Sequence, residues 1–147
     1  MLLIFVIFSA LVCLLIGYSD VRHREIPNFW VTVIFVYGIV NSLLNGFLIQ
    51  STLITLLVFV LFLVFWKINA IGGGDVKLIV AFSFGLLPSL IVPMICFAGL
   101  LGGGQLVVMY SIAKLRNQPP FERGVPYGIP IVISGWFFSL LSSKIFY

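Results

Sequence analysis

The residues best suited to chemistry in this sequence are its four carboxylates: Asp20, Glu25, Asp75 and Glu122. Asp20 stands one residue past a charge-free apolar run, Leu2 to Ser19. Asp75 directly follows Gly72-Gly73-Gly74 and precedes Val76-Lys77-Leu78. Glu25 lies beside Pro27, and Glu122 beside Pro119-Pro120-Phe121, so both are expected in loops exposed to water. Two acids at the ends of different helices can meet in a bundle. Two carboxylates sharing a site do not ionise together easily, so one keeps its proton. The ionised one then takes a proton from a water that attacks a peptide carbonyl. The protonated one donates to the carbonyl oxygen, and the roles later reverse. This chemistry needs no metal, no cofactor and no covalent intermediate.

Other readings of the same residues stay open. Asp75 after three glycines is also a good helix N-cap. Asp20 can simply end a helix and pair with Arg22 or Arg24. A buried Asp beside a glycine-broken segment also suits ion coupling in a small transporter. The three glycines permit positive φ and close approach of another backbone, as a substrate strand would require, or they make a plain flexible turn. They are not a phosphate-binding loop, because GxxxxGK[ST] is absent. Gly99 and Gly103 form a GxxxG pair, which predicts close helix packing. Pro126-Tyr127-Gly128, with Pro130, opens the last helix, and prolines are tolerated at a helix start. Cys13 and Cys96 sit alone in apolar runs, with no CxxC pair, and read as small packing residues. His23 has no partner at ligand spacing and receives no role.

The elements that must hold these residues follow from composition. Hydrophobic residues make up 62% of the 147 and charged ones only 8%. Soluble domains carry about 25% charged residues. Eight basic and four acidic side chains cannot build a water-soluble surface, and the mean hydropathy is +1.26. The chain therefore belongs in a bilayer. The first run lacks a basic leader and a small-x-small cleavage site, so it is expected to stay as a helix. Phe29 to Trp66 is 38 residues, about 57 Å as one helix, nearly twice a ~30 Å hydrocarbon core. It must fold back, most naturally at Asn45, Gly46, Gln50, Ser51 and Thr52. Leu78 to Ala113 must also fold back, with the turn expected at Pro88 and Pro93. Gly124 to Ser143 supplies one more span. The expectation is an all-α, polytopic membrane protein of six transmembrane helices, with residues 1–147 as a single domain.

Arg22, Arg24, Lys67, Lys77, Lys114, Arg116 and Arg123 all fall on one side of this arrangement, and only Lys144 on the other. The positive-inside rule makes the seven-charge side cytoplasmic and leaves both termini on the non-cytoplasmic side. Arg22, Arg24 and Lys77 are expected to anchor at phospholipid headgroups. Cations spread over three membrane-edge loops give no case for nucleic-acid binding.

Asp20-Val21-Arg22-His23-Arg24-Glu25-Ile26-Pro27-Asn28 resembles the type IV prepilin peptidase signature D-x-[RK]-x-[RK]-x-I-P-N around the first catalytic aspartate. Gly72-Gly73-Gly74-Asp75-Val76-Lys77-Leu78 resembles the GxGDxK motif around the second, and Val125-Pro126-Tyr127-Gly128 the P-Y/F-G element of the last helix. The resemblance spans nearly the whole chain. It implies a GxGD intramembrane aspartyl protease that removes the basic leader from prepilins or pseudopilins at the cytoplasmic face of the inner membrane. Asp20 and Asp75 would then be catalytic. Gly72, Gly73, Gly74, Lys77, Pro126, Tyr127 and Gly128 would shape the substrate loop and motif. The larger family members also carry an N-terminal Cys-containing region and a methyltransferase activity. The sequence begins at the first catalytic helix, so it resembles the short tight-adherence (Flp) type, with no methyltransferase activity expected. The rivals are an archaeal preflagellin-type peptidase and, in other classes, an ion-coupled transporter or a non-catalytic secretion subunit. The expected partners are a prepilin substrate and the lipid bilayer.

Overall fold

The turns are written in local chemistry, and they cut the described residues into six helices. The computed structural model describes residues 2–119 and 124–142, with side chains from residue 7 onward. The helices are α1 (Leu2–His23), α2 (Asn28–Asn45), α3 (Leu48–Lys67), α4 (Gly73–Phe84), α5 (Pro88–Leu115) and α6 (Gly128–Ser142). No strand occurs among the described residues. The expectations for Glu122, Arg123 and Lys144 fall outside the described residues.

α1 runs past Ser19, so Asp20 lies inside its last turn rather than beyond it. The Arg24 N–H bonds back to the Asp20 carbonyl at 3.0 Å, and Arg24 takes a left-handed φ of 57° that stops the helix. Pro27 is extended and caps α2, as a proline ahead of a helix should. α2 ends at Gly46, whose φ of 76° is the left-handed conformation that glycine adopts without strain. The Gly46 N–H reaches the Leu43 carbonyl and the Phe47 N–H the Ser42 carbonyl, the paired bonds of a Schellman ending.

Two sequence expectations about turns need correction. Gln50, Ser51 and Thr52 are not in the α2–α3 turn but in the first turns of α3. The glycine ends α2 so tightly that the polar residues after it are already helical. Pro93 does not mark the second turn either. It lies inside α5, while Pro88 stands at the helix start, where its missing N–H is harmless. The reversal therefore comes early, at Gly85–Leu87. It leaves α4 with 12 residues, about 18 Å, and α5 with 28, about 42 Å. α2, α3 and α5 are long and apolar enough to cross a bilayer.

The short α4 sits at the centre. It packs against α2, α3 and α6, while α1 lies on α6 and α2, and α5 on α6 and α3. Val76, Leu78, Ile79, Ala81, Phe82 and Ser83 of α4 are buried. Leu14, Leu44, Leu57 and Leu100 point outward, giving the bundle an apolar exterior suited to lipid. Close contact with α4 depends on missing side chains. A Cβ on Gly38 would lie 2.9 Å from the Gly85 nitrogen, and one on Gly135 would collide with the Phe82 ring.

Because α4 ends short of a full crossing, its turn into α5 is buried and water cannot satisfy its backbone. An unsatisfied backbone group in lipid costs several kcal/mol. Three neighbouring helices supply the partners. Asn41 Nδ2 donates to the Gly85 carbonyl at 2.8 Å and Ser51 Oγ to the Leu86 carbonyl at 2.6 Å. The Leu87 N–H donates to Ser142 Oγ at 2.7 Å. α4 is thereby pinned from α2, α3 and α6, and its opposite end carries Asp75.

Candidate active site

Three connections converge where α4 begins. Residues from the α1–α2 loop, the start of α4 and the approach to α6 line one cavity of about 650 Å³. Asp20 and Asp75 both line it, with Arg24, Glu25, Asn28, Lys77, Tyr127 and the three glycines 72–74. Helices that are distant in sequence thus bring the two carboxylates to one place, close enough for the charge of Asp20 to act on Asp75.

Asp20 is buried, with 6% of its surface exposed. Its Oδ2 accepts the Gly128 N–H at 2.7 Å, a bond linking the end of α1 to the start of α6. Arg24 acts on it through its positive charge. Arg22 does not face it. The Arg22 guanidinium donates to the Tyr18 hydroxyl at 2.6 Å and stacks over the same ring.

Asp75 is the third residue of α4, in its first turn, and the N-cap is Gly72. The N-cap reading of Asp75 is therefore off by three positions. The Asp75 carboxylate reaches back to accept the Gly72 N–H, the return half of a capping box. An anion here also sits favourably at a helix N-terminus.

None of the three glycines takes a positive φ. They serve close approach instead, and mostly of the chain's own side chains. A Cβ on Gly73 would lie 3.2 Å from Trp66 Nε1, and one on Gly74 3.3 Å from Ile26 Cβ. A Cβ on Gly72 would lie 3.0 Å from Asp75 Oδ2. Lys77 Nζ donates to Asn28 Oδ1 at 3.1 Å, joining the start of α4 to the start of α2. The Ser19 hydroxyl donates to the Glu25 carbonyl at 3.0 Å and steadies the loop between α1 and α2.

The approach to α6 is held from α5. Gln105 Nε2 donates to the Pro126 carbonyl at 3.0 Å. A Cβ on Gly102 would meet the Tyr127 ring at 3.2 Å. The small-residue contact on α5 is therefore Gly102, and not the Gly99 and Gly103 pair that the GxxxG spacing suggested. Those two have nothing within 4 Å of an added Cβ. α5 turns them away from its neighbours.

Sequence reasoning also misjudged the surroundings of Arg24. Arg24 was expected at lipid headgroups, yet it is half-buried and lines the cavity; Glu25 lines it too and is exposed in the α1–α2 loop, as expected. Arg24 Nη1 is buried with no hydrogen-bond partner among the described residues. Among the described residues no three His, Cys, Asp or Glu side chains are grouped as a metal site requires. Cys13 is buried in α1 and Cys96 faces outward from α5.

Residues 7–107 match the type IV leader peptidase family. The match includes Asp20 and Asp75 and stops before α6. No curated protein and no solved structure matches the chain.

Proposed function

Because the chain belongs to the type IV leader peptidase family, we propose that it is an aspartic endopeptidase working through Asp20 and Asp75. The observation that carries this reading is the shared cavity, in which carboxylates from α1 and α4 line one wall system between three connections. The substrate is a prepilin or pseudopilin of the Flp type, and its basic leader is removed at the cytoplasmic face. The clustering of cations at this end of the bundle supports that orientation. All six helices then belong to the membrane, α4 as the short central one.

In the proposed reaction one carboxylate is ionised and its neighbour protonated, as two like charges at short range require. The ionised one removes a proton from water, and the oxygen attacks the scissile carbonyl. The neutral one gives its proton to the carbonyl oxygen. Collapse of the tetrahedral intermediate sends a proton to the departing amine and restores both carboxyls. The scissile bond must leave its helix before it can be attacked, because a helical carbonyl is occupied by its own hydrogen bond. The glycines 72–74 and Tyr127 on the cavity wall are where the unwound strand would lie.

The test is cleavage of a candidate prepilin in membranes by the wild type, Asp20→Asn and Asp75→Asn, read on an immunoblot. Leader removal by the wild type and by neither variant is expected. Normal cleavage by either variant would remove that residue from the dyad.

A further inference from the structure

α6 carries no carboxylate, yet its first residue makes the only hydrogen bond to the Asp20 side chain found among the described residues. The Gly128 N–H donates to Asp20 Oδ2 at 2.7 Å, and both groups are buried. The glycine is not there for backbone freedom, since its φ lies outside the left-handed region. It is there because nothing else fits. A Cβ at 128 would lie 2.7 Å from Asp20 Oδ2, 2.9 Å from its Cγ and 3.1 Å from its Cβ. Real Cβ atoms essentially never come within 3.0 Å of another atom, so either the Asp20 side chain or one of the two helices would have to shift.

α6 cannot easily move. Its approach is tied to α5 through Gln105 and the Pro126 carbonyl, and Tyr127 rests on Gly102. Farther along, Gly135 is packed on the Phe82 ring of the central helix. α1 is also held, because its Val12 and Ile16 are buried in the core and a Cβ on its Gly17 would lie in contact with Ile129 and Val132 of α6. The carboxylate is therefore the part that yields when position 128 gains bulk.

We infer that Gly128 is a positioning residue for Asp20: its N–H holds one carboxylate oxygen and its bare Cα lets α6 press against the carboxyl group. The other oxygen is left for proton exchange with water. The same device recurs in the first turn of α4, where the Gly72 N–H faces Asp75 and a Cβ at 72 would touch its Oδ2. The Gly128 contact is the tighter of the two and ties together segments 108 residues apart. This inference rests on the proposed aspartic peptidase reading.

The experiment uses the full-length protein in membranes or detergent micelles, with a prepilin as substrate. Gly128→Ala is compared with wild type, with Asp20→Asn and with Gly99→Ala, a helical glycine in open space. Gly128→Ala is expected to lower kcat by roughly 100-fold, the scale of a displaced reacting group, with KM within about threefold. Its pH–rate profile is expected to shift, because Asp20 loses its fixed donor. Gly99→Ala is expected to match wild type in all three readouts.

If Gly128→Ala fails to fold, as judged by helical circular dichroism and elution volume, an amide-to-ester replacement at position 128 decides. It removes the N–H and adds no bulk. A roughly tenfold or greater fall in kcat with an altered pH profile is expected, the scale of one charged hydrogen bond. Unchanged kcat and pH profile in a folded variant, while Asp20→Asn is inactive, would overturn the positioning role alone. Normal cleavage by Asp20→Asn would instead overturn the dyad on which it rests.

Discussion

Each proposed catalytic carboxylate has a second, structural duty. Asp75 accepts the N-cap N–H of its own helix, and Asp20 accepts the first N–H of α6. The structural and chemical roles can be separated by choice of substitution. Asparagine keeps an acceptor oxygen, whereas alanine removes it. Asp75→Asn and Asp75→Ala are expected to be equally inactive, but Asp75→Ala should be less stable by about 0.5–2 kcal/mol, the usual scale of a lost helix cap. Thermal melts in detergent measure the difference. Equal melting temperatures for the two would mean that the Gly72 contact contributes nothing to the fold. The residue-level motifs were legible because they are contiguous: Asp20 to Asn28 and Gly72 to Leu78 are each one unbroken stretch of sequence. Arg24 was misread for lack of context, since nothing local says whether a cation at a helix end meets lipid or a cavity.

At the scale of elements, α4 has the most unusual position. Its 12 residues cannot cross a bilayer core alone, so its far end must be satisfied by side chains of α2, α3 and α6. Ser51→Ala strands the Leu86 carbonyl in an apolar interior and is expected to destabilise the protein by about 1–3 kcal/mol. Gly135→Val drives a branched side chain into the Phe82 ring and is expected to cost about 1–3 kcal/mol through overpacking. Melting temperature in detergent reads both, and either variant melting like wild type would contradict the packing described for that end of α4. Sequence reasoning found the turn at Gly46 and the one beside Pro88, because both residues act through their own backbone. It overread Pro93, Gln50, Ser51 and Thr52, whose turn-forming tendency is overridden inside a packed helix.

At the scale of the whole molecule, an apolar exterior and, among the described residues, three helices of spanning length describe a membrane protein of the type IV leader peptidase family. The proposed orientation predicts which side each connection faces. On a Cys13→Ala, Cys96→Ala background, single cysteines at Ala70 and Gln118 are expected to react with an impermeant thiol reagent from the cytoplasmic side. A cysteine at Leu44 is expected to react only from the opposite side. Labelling of Ala70→Cys and Leu44→Cys from the same side would contradict a crossing by α3. The thiol-free background should cleave like wild type, as expected of cysteines that only pack.

The sequence by itself determined that the chain is helical and membrane-bound, roughly where it reverses, and which two acids to examine. Those properties rest on composition, run length and the backbone chemistry of single residues, all of which are local. The tertiary structure decided that α4 is short and central, that Gly102 rather than the GxxxG pair makes the close contact on α5, and that Gly128 touches Asp20. Helices in lipid are apolar all round, so periodicity does not reveal which face is inside. Which glycine is pressed against which side chain is fixed only when segments far apart in the chain pack together.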